Sequence, residues 1–426
     1  MKISGWGRFP VVETRPLGST QADWWQVPFI SLGNARSYGD AALAACHLPA
    51  QRCNRFLDFD ADTGLLTCET GVLLADIIDA FLPRGWFLSV TPGTKLITVG
   101  GAIASDVHGK NHHIQGCFSQ CLEWFDLLLP TNEVLRCSLT ENTDLFHATC
   151  GGMGLTGVIL RAAFYLKPVK SQWINQTTIK TTNLKQTFEA FEQNQHHTYS
   201  VAWIDCLAKG EQLGRSLLML GEFSEDGDLA YKSKPKKNIP IDFPAFALNT
   251  LSVKAFNTLY YGKATEGTST QRVDVDTFFY PLDAINNWNR IYGKNGFIQF
   301  QFILPKAASF EGLTQVLKSI SQAGMGSFLA VLKLYGAENK NWLSFPMEGY
   351  SLALDFKMQS GLAEFISDLT DQVVALGGRV YLAKDALLSK EQFEQSYAHV
   401  EQFRALRKEL NLNCHFQSLQ SQRLGL

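Results

Sequence analysis

A glycine-rich run that also carries histidines, TPGTKLITVGGAIASDVHGKNHH at residues 91–113, constrains the fold of this chain more than any other feature. It lies between two apolar, strand-like stretches, and two further glycine-rich loops, GNARSYGD at 33–40 and CGGMGLTG at 150–157, flank it in the sequence. Glycine permits positive φ and lets a ligand approach backbone N–H groups closely. Each loop alone is typical of a tight turn, but the three together indicate backbone that binds an anion such as a diphosphate.

The length and composition indicate a compact protein of more than one domain. A chain of 426 residues exceeds the usual size of a single hydrophobic core. Hydrophobic residues make up 46% and charged residues 18%, with a net charge of -2, which argues against disorder and against nucleic acid as a partner. No apolar stretch reaches the length of a membrane span, and the N-terminal residues lack a signal-peptide pattern. We therefore expect a cytoplasmic protein, with peripheral membrane contact as an open alternative.

Residue patterns predict an α+β fold in three parts. Residues 1–170 alternate short strands with short helices, residues 171–378 carry longer strands with amphipathic helices, and residues 379–426 form a C-terminal segment that we expect to return to the first part. Ser389 and Gln392 have the spacing of a capping box. One continuous helix is predicted after this capping box, with a buried face formed by Phe393, Tyr397, Val400, Phe403 and Leu406.

Two local motifs suggest other chemistry, and their context argues against both. The literal GxGxxG at 152–157 has a predicted helix before it and a strand after it, the reverse of a dinucleotide-binding fingerprint. His112, His113, Cys117 and Cys121 lie close together, yet the spacing HHxxxCxxxC matches no common zinc pattern. We expect no metal here, and we expect the two histidines to be solvated or bonded to backbone.

The three loops, in this order and spacing, resemble the FAD-binding half of vanillyl-alcohol-oxidase-type (PCMH-type) flavoproteins. The motifs VLKLYG, LALDF, GGRVYLAKD and QRLGL further along the chain resemble the branch of that family that oxidises a lipid-linked ribose. The resemblance implies an FAD-binding domain of two subdomains and a substrate domain built on an antiparallel sheet with flanking helices. In many relatives the first loop carries a histidine bonded covalently to the flavin. The matching segment ARSYG has none, which implies non-covalent FAD.

The resemblance also implies which residues hold the cofactor. The first two loops would wrap the diphosphate and flank the flavin ring, and the third would line its other side. The implied FAD contacts are Gly33, Asn34, Ala35, Arg36, Ser37, Tyr38, Gly39, Pro92, Gly93, Thr94, Gly100, Gly101, Ala104, Ser105, His108, Gly109, Asn111, Gly151, Gly154, Gly157 and Ile159.

Three polar residues are implied as catalytic groups near the reacting carbon: Tyr38, His108 and Lys384. Oxidising an alcohol with a flavin requires a group that accepts the hydroxyl proton. Lys384 is the first choice for holding or deprotonating that hydroxyl. A lysine in the apolar run RVYLAKDALL is stable only when it is paired or shifted in pKa.

The residues implied to contact the substrate are Tyr280, Gln299, Gln301 and Lys333. The period of two in GFIQFQFILP places both glutamines on one face of a strand, and an outer face in contact with water remains an alternative. Lys333 interrupts an apolar strand, where an ammonium suits a phosphate. For Tyr280, core packing is an equal alternative.

These implications predict an FAD-dependent oxidoreductase that oxidises a sugar secondary hydroxyl, in particular the 2-hydroxyl of a polyprenyl-phospho-pentose, by hydride transfer to flavin N5. A partner NAD(P)H-dependent keto-reductase would then complete an epimerisation. One alternative is an aldonolactone or alditol oxidase acting on a small sugar, although CHFQSLQ stands where such enzymes commonly carry His-Trp-x-Lys. A second alternative is a flavin-binding protein without turnover.

The segment Lys232–Tyr261 combines a basic cluster with an apolar, aromatic stretch. A charge run is usually a solvated loop. Beside such a stretch it could instead dock on anionic lipid headgroups, which a polyprenyl substrate would require. The basic cluster consists of Lys232, Lys234, Lys236 and Lys237.

Overall fold

A computed structural model describes residues 1–18, 21–244 and 246–426, and it confirms a mixed α+β fold. The strands of the N-terminal part are β1 (Lys2–Ser4), β2 (Val11–Glu13), β3 (Arg15–Pro16), β4 (Ile30–Leu32), β5 (Cys46–Pro49), β6 (Phe56–Asp60), β7 (Leu65–Glu69), β8 (Trp86–Leu88), β9 (Leu122–Leu128), β10 (Val134–Cys137) and β11 (Val158–Pro168). Its α-helices are α1 (Leu74–Phe81), α2 (Val99–Ala104), α3 (His112–Gln115) and α4 (Thr143–Thr149).

The main N-terminal sheet is antiparallel, with the order β10-β9-β11-β7-β6, and β8 also pairs with β11. A separate small parallel sheet has the order β3-β5-β4. Helix α1 buries the apolar stripe that its spacing predicts, and the chain turns after it at Gly85, whose φ is +84°. The GxGxxG motif lies between α4 and β11, so a helix precedes it and a strand follows it.

The second part is built on a long antiparallel sheet. Its strands, and two short ones outside it, are β12 (Trp173–Thr181), β13 (Tyr199–Ile204), β14 (Ser216–Phe223), β15 (Lys237–Asn238), β16 (Thr268–Asp274), β17 (Ile285–Asn286), β18 (Phe297–Pro305), β19 (Ala330–Tyr335), β20 (Gly349–Lys357) and β21 (Arg379–Val380). Its helices are α5 (Leu184–Gln193), α6 (Thr250–Gly262), α7 (Val275–Phe279), α8 (Lys306–Ala323) and α9 (Leu362–Ala375). The order in the long sheet is β16-β12-β14-β13-β19-β20-β18-β21.

Helices cover one face of the long sheet and leave the other face to the site. Helix α8 packs on β18 and β20, and α9 packs on β18 and β21. The alternation in β18 sends its apolar side chains into the core beneath these helices and its two glutamines to the opposite face. Gln299 and Gln301 are both buried, so this face of β18 is not exposed to solvent. The alternative of an outer strand face in contact with water is therefore wrong.

The C-terminal segment contains α10 (Lys390–Ser396), α11 (Val400–Glu409) and α12 (Leu419–Leu424). The capping box is confirmed, with the Gln392 amide N–H donating to Ser389 Oγ at 3.1 Å. The prediction of one continuous helix is wrong, because the chain is extended at Tyr397 between α10 and α11, where its hydroxyl donates to the Val380 carbonyl oxygen at 2.7 Å. The predicted buried face nevertheless packs as one apolar surface.

Contacts of the C-terminal segment run to both preceding parts. Strand β21 pairs with β18 in the long sheet, whereas Arg407 on α11 donates to the Leu155 carbonyl oxygen at 3.1 Å. The division at 170/171 and 378/379 therefore stays a prediction. Across the residues that the structure describes, no helix has both the length and the apolar character needed to cross a membrane.

Candidate functional site

A cavity of about 410 Å³ lies between the three glycine-rich loops and the open face of the long sheet. This volume is within the range of small-molecule sites, about 300–1,000 Å³. The FAD-contact residues predicted from sequence that line it are Gly33, Asn34, Ala35, Arg36, Ser37, Tyr38, Pro92, Gly93, Thr94, Gly100, Gly101, Ala104, Ser105, His108, Gly154, Gly157 and Ile159. Gln299, Gln301, Lys333 and Lys384 line it as well.

The first loop presents backbone amides and a cation that have no protein partner. The N–H groups of residues 34–37 donate to no acceptor within the described ranges. Ala35 adopts a φ of +49°, which bends the chain into a concave turn of the kind that binds anions. Arg36 lies over the Trp6 ring at 4.0 Å, its Nε is buried without a hydrogen-bond partner, and burial lowers its pKa. Arg36 is half-buried and forms no ion pair, although the charge of Asp283 acts on it, so its guanidinium is available to an anionic ligand.

The second loop is held rigidly by one carboxylate. Asp283 accepts hydrogen bonds from Thr94 Oγ1 at 2.8 Å and from the Lys95 N–H at 2.9 Å. The loop ends at Thr98, which caps α2 by accepting from the Gly101 N–H at 3.1 Å. At Gly93 a Cβ would meet no atom within 4 Å, so this part of the loop is open to the cavity.

Five of the predicted residues lie behind the cavity wall and support it. A Cβ at Gly39 would come within 1.6 Å of the Asp385 carbonyl oxygen, so the loop after Tyr38 and the chain after Lys384 pack backbone against backbone. Gly151 has a φ of +88° and faces the Ser344 backbone. The remaining three are Gly109, which packs on Asn111; Asn111, which donates to the Ser89 carbonyl oxygen; and Tyr280, which is bonded to Thr91 Oγ1 at 2.6 Å.

His108 is held as a neutral imidazole at the boundary between the loops and the sheet. Gln301 Nε2 donates to His108 Nε2 at 3.1 Å, which leaves the proton on Nδ1. That Nδ1 atom is buried and has no partner among the described residues. Burial, reinforced by the charge of Lys333, lowers the pKa of His108 well below its ordinary value. The imidazole can therefore donate one hydrogen bond to a ligand but does not carry a charge near neutral pH.

Lys384 and Tyr38 meet at the end of the cavity. The Lys384 ammonium lies over the Tyr38 ring, 3.7 Å from its centroid. Burial lowers the pKa of Lys384 to about 7, against the opposing charge of Asp355. Asp355 accepts from Gln299 Nε2 at 2.5 Å and from the Tyr292 hydroxyl at 3.2 Å, and burial raises its pKa. A lysine with this pKa exists partly as the free amine near neutral pH.

Two more lysines surround the cavity. Burial lowers the pKa of Lys333 to about 8 and that of Lys110 to about 7. Lys110 donates to the Phe278 carbonyl oxygen. Neither Lys333 Nζ nor Lys384 Nζ has a hydrogen-bond or ion-pair partner within the described part of the chain. The cavity therefore offers cationic groups that are free to bind a phosphate.

One wall of the cavity was not predicted. It consists of apolar side chains from four separate elements, and Trp203 with Tyr260 forms its outer end, where the two rings lie 4.9 Å apart. The alternation of side chains along β13 and β19 could have indicated part of this apolar wall, because every second side chain of these strands points towards the cavity. The residues of this wall are Val201, Trp203, Met219, Tyr260, Leu329 and Val331.

The histidine–cysteine cluster has ordinary structural roles. His112 Nδ1 accepts from the Gly336 N–H at 3.2 Å, and His113 Nε2 bonds the His197 carbonyl oxygen at 2.9 Å. Burial raises the pKa of Cys117 well above its ordinary value and that of Cys121 to about 12. Both thiols are therefore protonated near neutral pH in this environment.

The donor set fits FAD. Unpaired loop amides and the unpaired Arg36 guanidinium suit a diphosphate, and the Nδ1–H of His108 suits a polar atom of a ring between loop and sheet. Gly93 leaves room beside the loop backbone, because a Cβ there would meet no atom within 4 Å.

Comparison with known proteins agrees with this geometry. A family described as FAD binding domain matches residues 20–138. Decaprenylphosphoryl-beta-D-ribose oxidase of Mycolicibacterium smegmatis is 35% identical over 414 residues, covering 93% of this chain and 89% of that protein. An uncharacterized protein of Streptomyces coelicolor is 28% identical over 83% of this chain and 100% of its own length. L-gulonolactone oxidase of Bos taurus is 30% identical over only 34% of this chain and 32% of that enzyme.

These matches confirm FAD as the cofactor and an FAD-dependent oxidoreductase as the class of enzyme. The first relative spans both the glycine loops and the long sheet, whereas the likeness to the lactone oxidase covers about a third of the chain. The chain belongs to the PCMH-type FAD-binding oxidoreductases, in the family of decaprenylphosphoryl-β-D-ribose oxidase.

Proposed function

We propose that this enzyme oxidises the 2-hydroxyl of a polyprenyl-phospho-pentose to a ketone. The observation that carries the proposal is the position of Lys384, which lines the same cavity as the unpaired loop amides and lies over the Tyr38 ring; burial there lowers its pKa to about 7. The relative with the longest match in the comparison is named for a decaprenylphosphoryl ribose, and the cavity has a cationic, a polar and an apolar section that suit the three parts of such a molecule.

The three glycine loops hold the FAD. The N–H groups of residues 34–37 and the Arg36 guanidinium would bind the diphosphate, and His108 would hold a polar atom of the flavin through its Nδ1–H. When bound, FAD would supply the two-electron acceptor that oxidation of the alcohol requires. No cysteine lines the cavity among the described residues, and the first loop carries no histidine. We infer that FAD is held non-covalently, so acid precipitation should release the yellow colour into the supernatant.

The open face of the long sheet binds the sugar phosphate. The amides of Gln299 and Gln301 suit sugar hydroxyls, because each amide both donates and accepts hydrogen bonds. Lys333 lies two residues from Val331 on β19, at the junction of the polar and apolar walls, and its ammonium binds the phosphate. The apolar wall takes the first isoprene units of the lipid.

Lys384 removes the hydroxyl proton. Its amine must be neutral to accept that proton, and burial makes the neutral form available near pH 7. The Tyr38 ring below the ammonium fixes its direction, and Asp355 raises its pKa through space. Tyr38 and Asp355 are thus positioning residues. The backbone N–H of Tyr38 also donates to the Ala383 carbonyl oxygen at 3.1 Å, which holds the first glycine-rich loop against the chain that carries Lys384.

The ketone product requires a second enzyme if the net reaction is an epimerisation. A separate NAD(P)H-dependent keto-reductase would return hydride to the opposite face of the sugar. This enzyme would then catalyse the first half of the sequence, and the configuration at the carbinol carbon would be lost at the ketone.

Anaerobic mixing tests the proposal. FAD-loaded enzyme is mixed separately with a polyprenyl-phospho-ribose, with L-gulonolactone and with free alditols, and the visible flavin absorbance is followed. We expect the lipid-linked ribose alone to bleach the flavin. Bleaching by the lactone or the alditols instead would assign the enzyme to the lactone and alditol oxidases, and bleaching by none of them would support a flavin-binding protein without turnover.

A further inference from the structure

Helix α6 exposes apolar side chains on the face that points away from the protein. It is anchored through Val253 and Asn257, whose Nδ2 donates to Asp205 Oδ1 at 2.8 Å. On the opposite side, Leu251 is 79% exposed and Leu259 is 65% exposed. An amphipathic surface helix normally turns its leucines inward. The outward leucines of α6 therefore indicate a surface that is covered by something apolar.

The exposed leucines extend into a larger apolar surface. Phe246, 78% exposed, lies next to the first turn of α6, where the Asn249 side chain donates to its carbonyl oxygen at 2.8 Å. Ala255 lies between the two leucines at the spacing of one helical turn on each side. We call Phe246, Leu251, Ala255 and Leu259 the α6 face. The segment 232–261 also contains residue 245, which lies outside the described residues.

Exposed lysines lie on α6 and on the segment that precedes it in the sequence. Lys254 and Lys263 belong to α6 or its C-terminal cap, and both are exposed. The exposed lysines of the preceding segment that form no ion pair among the residues the structure describes are Lys232, Lys236 and Lys237. The nearby carboxylate of Asp242 is paired with Arg8. The surface is therefore cationic as well as apolar.

The basic segment and α6 rest on one aromatic base. Ile239 and Leu248 pack on the cluster that contains Trp288 and Tyr292. Phe256 of α6 contacts Phe328 with ring centroids 5.5 Å apart, and Phe328 also packs on this cluster. Helix α6 and the chain that follows the basic cluster therefore pack on the same aromatic cluster.

Helix α6 also reaches the cavity, through residues next to the α6 face. On α6, Phe256 stacks on Tyr260 with centroids 5.7 Å apart, and Tyr260 contacts Trp203 at 4.9 Å. Tyr260 and Trp203 both line the cavity. An apolar path therefore leads from the surface of α6 to the apolar wall inside.

We propose that the α6 face docks the enzyme on an anionic lipid bilayer, with the cavity mouth at the headgroup level. Apolar side chains that protrude beside unpaired lysines suit a bilayer, because the side chains enter the acyl boundary while the ammonium groups bind lipid phosphates. A protein interface would be expected to have fewer lysines at its core. The docking goes beyond the proposed function, and it holds whichever sugar the enzyme oxidises.

Vesicle binding tests the docking with the FAD-loaded, full-length enzyme. Wild type is sedimented with vesicles of phosphatidylglycerol and phosphatidylcholine, and with vesicles of phosphatidylcholine alone. We expect binding to the anionic vesicles and a loss on the order of tenfold for Leu251→Glu/Leu259→Glu. We expect a loss of about fivefold for each of Lys254→Gln and Lys263→Gln. The matched control is Leu139→Glu, because Leu139 is 61% exposed and lies in the N-terminal part, and it should bind as wild type does.

Three results would overturn the docking: wild type fails to bind the anionic vesicles, the double glutamate variant binds as well as wild type, or Leu139→Glu loses as much binding as the double variant. A dimer in solution that the double variant dissociates would assign the α6 face to a second copy of the chain instead. Flavin reduction by a short-chain, water-soluble sugar phosphate is measured in the same variants and should not change. That readout separates failure of the docking from failure of the proposed chemistry.

Discussion

Replacing Lys384 with methionine removes the group to which we assign proton abstraction while keeping most of the side-chain volume. An ordinary lysine with a pKa near 10.5 is neutral in roughly 0.03% of molecules at pH 7, whereas a pKa of about 7 makes about half of them neutral. Burial thus raises the concentration of free amine about a thousandfold. General-base catalysis contributes about 10²–10⁴-fold to a rate. We therefore expect Lys384→Met to slow flavin reduction by about 10²–10³-fold.

The pH dependence gives the sharper test. Because the base must be deprotonated, the rate constant for anaerobic flavin reduction should rise with pH through about 7 in wild type and level off above it. Lys384→Met should show a low rate constant that does not rise with pH in this range. Asp355→Asn removes a negative charge that raises the pKa of Lys384. The rise of the rate constant should therefore occur at lower pH in this variant.

The matched control is Lys110→Met. Lys110 also lines the cavity and also has a pKa of about 7, but its ammonium already donates to the Phe278 carbonyl oxygen. Stopped-flow absorbance of each variant with excess substrate gives the rate constants. The reasoning is refuted if the rise of the rate with pH persists in Lys384→Met, or if it disappears in Lys110→Met.

Three further changes test other parts of the site. Arg423→Gln removes the guanidinium that pairs with Asp40 Oδ1 at 2.7 Å and Asp385 Oδ2 at 2.8 Å. Because two buried carboxylates then lack a partner, the free energy of unfolding should fall by about 3 kcal/mol, as measured by thermal or urea denaturation. Gly39→Ala places a Cβ against backbone and should destabilise the protein by about 2 kcal/mol or more and weaken FAD binding, measured by fluorescence titration; unchanged FAD affinity would contradict the assigned packing. Lys333→Met should raise the KM for a phosphate-bearing substrate about tenfold or more with a smaller effect on kcat, and an unchanged KM would place the phosphate elsewhere.

Local signals in the sequence pointed to the glycine loops and to two lysines that line the cavity in the structure. The glycine loops can be seen in sequence because glycine is required where backbone approaches backbone or a ligand, as at Gly39. Lys333 and Lys384 stand out because each interrupts an apolar run, and an apolar run around an ammonium is rare unless the charge has a function. Both lie at the cavity in the structure.

Features that depend on distant parts of the chain could not be predicted. The apolar wall combines Trp203 with Tyr260, and such residues look like ordinary core in sequence. The break between α10 and α11 follows from a bond of the Tyr397 hydroxyl to a strand carbonyl oxygen, which the helical spacing does not reveal. Likewise, the sequence shows Asp355 as a polar intrusion but not that its charge acts on Lys384.

An isotope experiment tests the central claim most directly. Anaerobic flavin reduction is followed with polyprenyl-phospho-ribose deuterated at C2 of the sugar and, as a control, at C3. The account predicts that deuterium at C2 slows flavin reduction by a primary isotope effect and that deuterium at C3 does not. Equal rates with the C2-deuterated and unlabelled substrates, together with a slower rate for the C3-deuterated one, would contradict oxidation at the 2-hydroxyl.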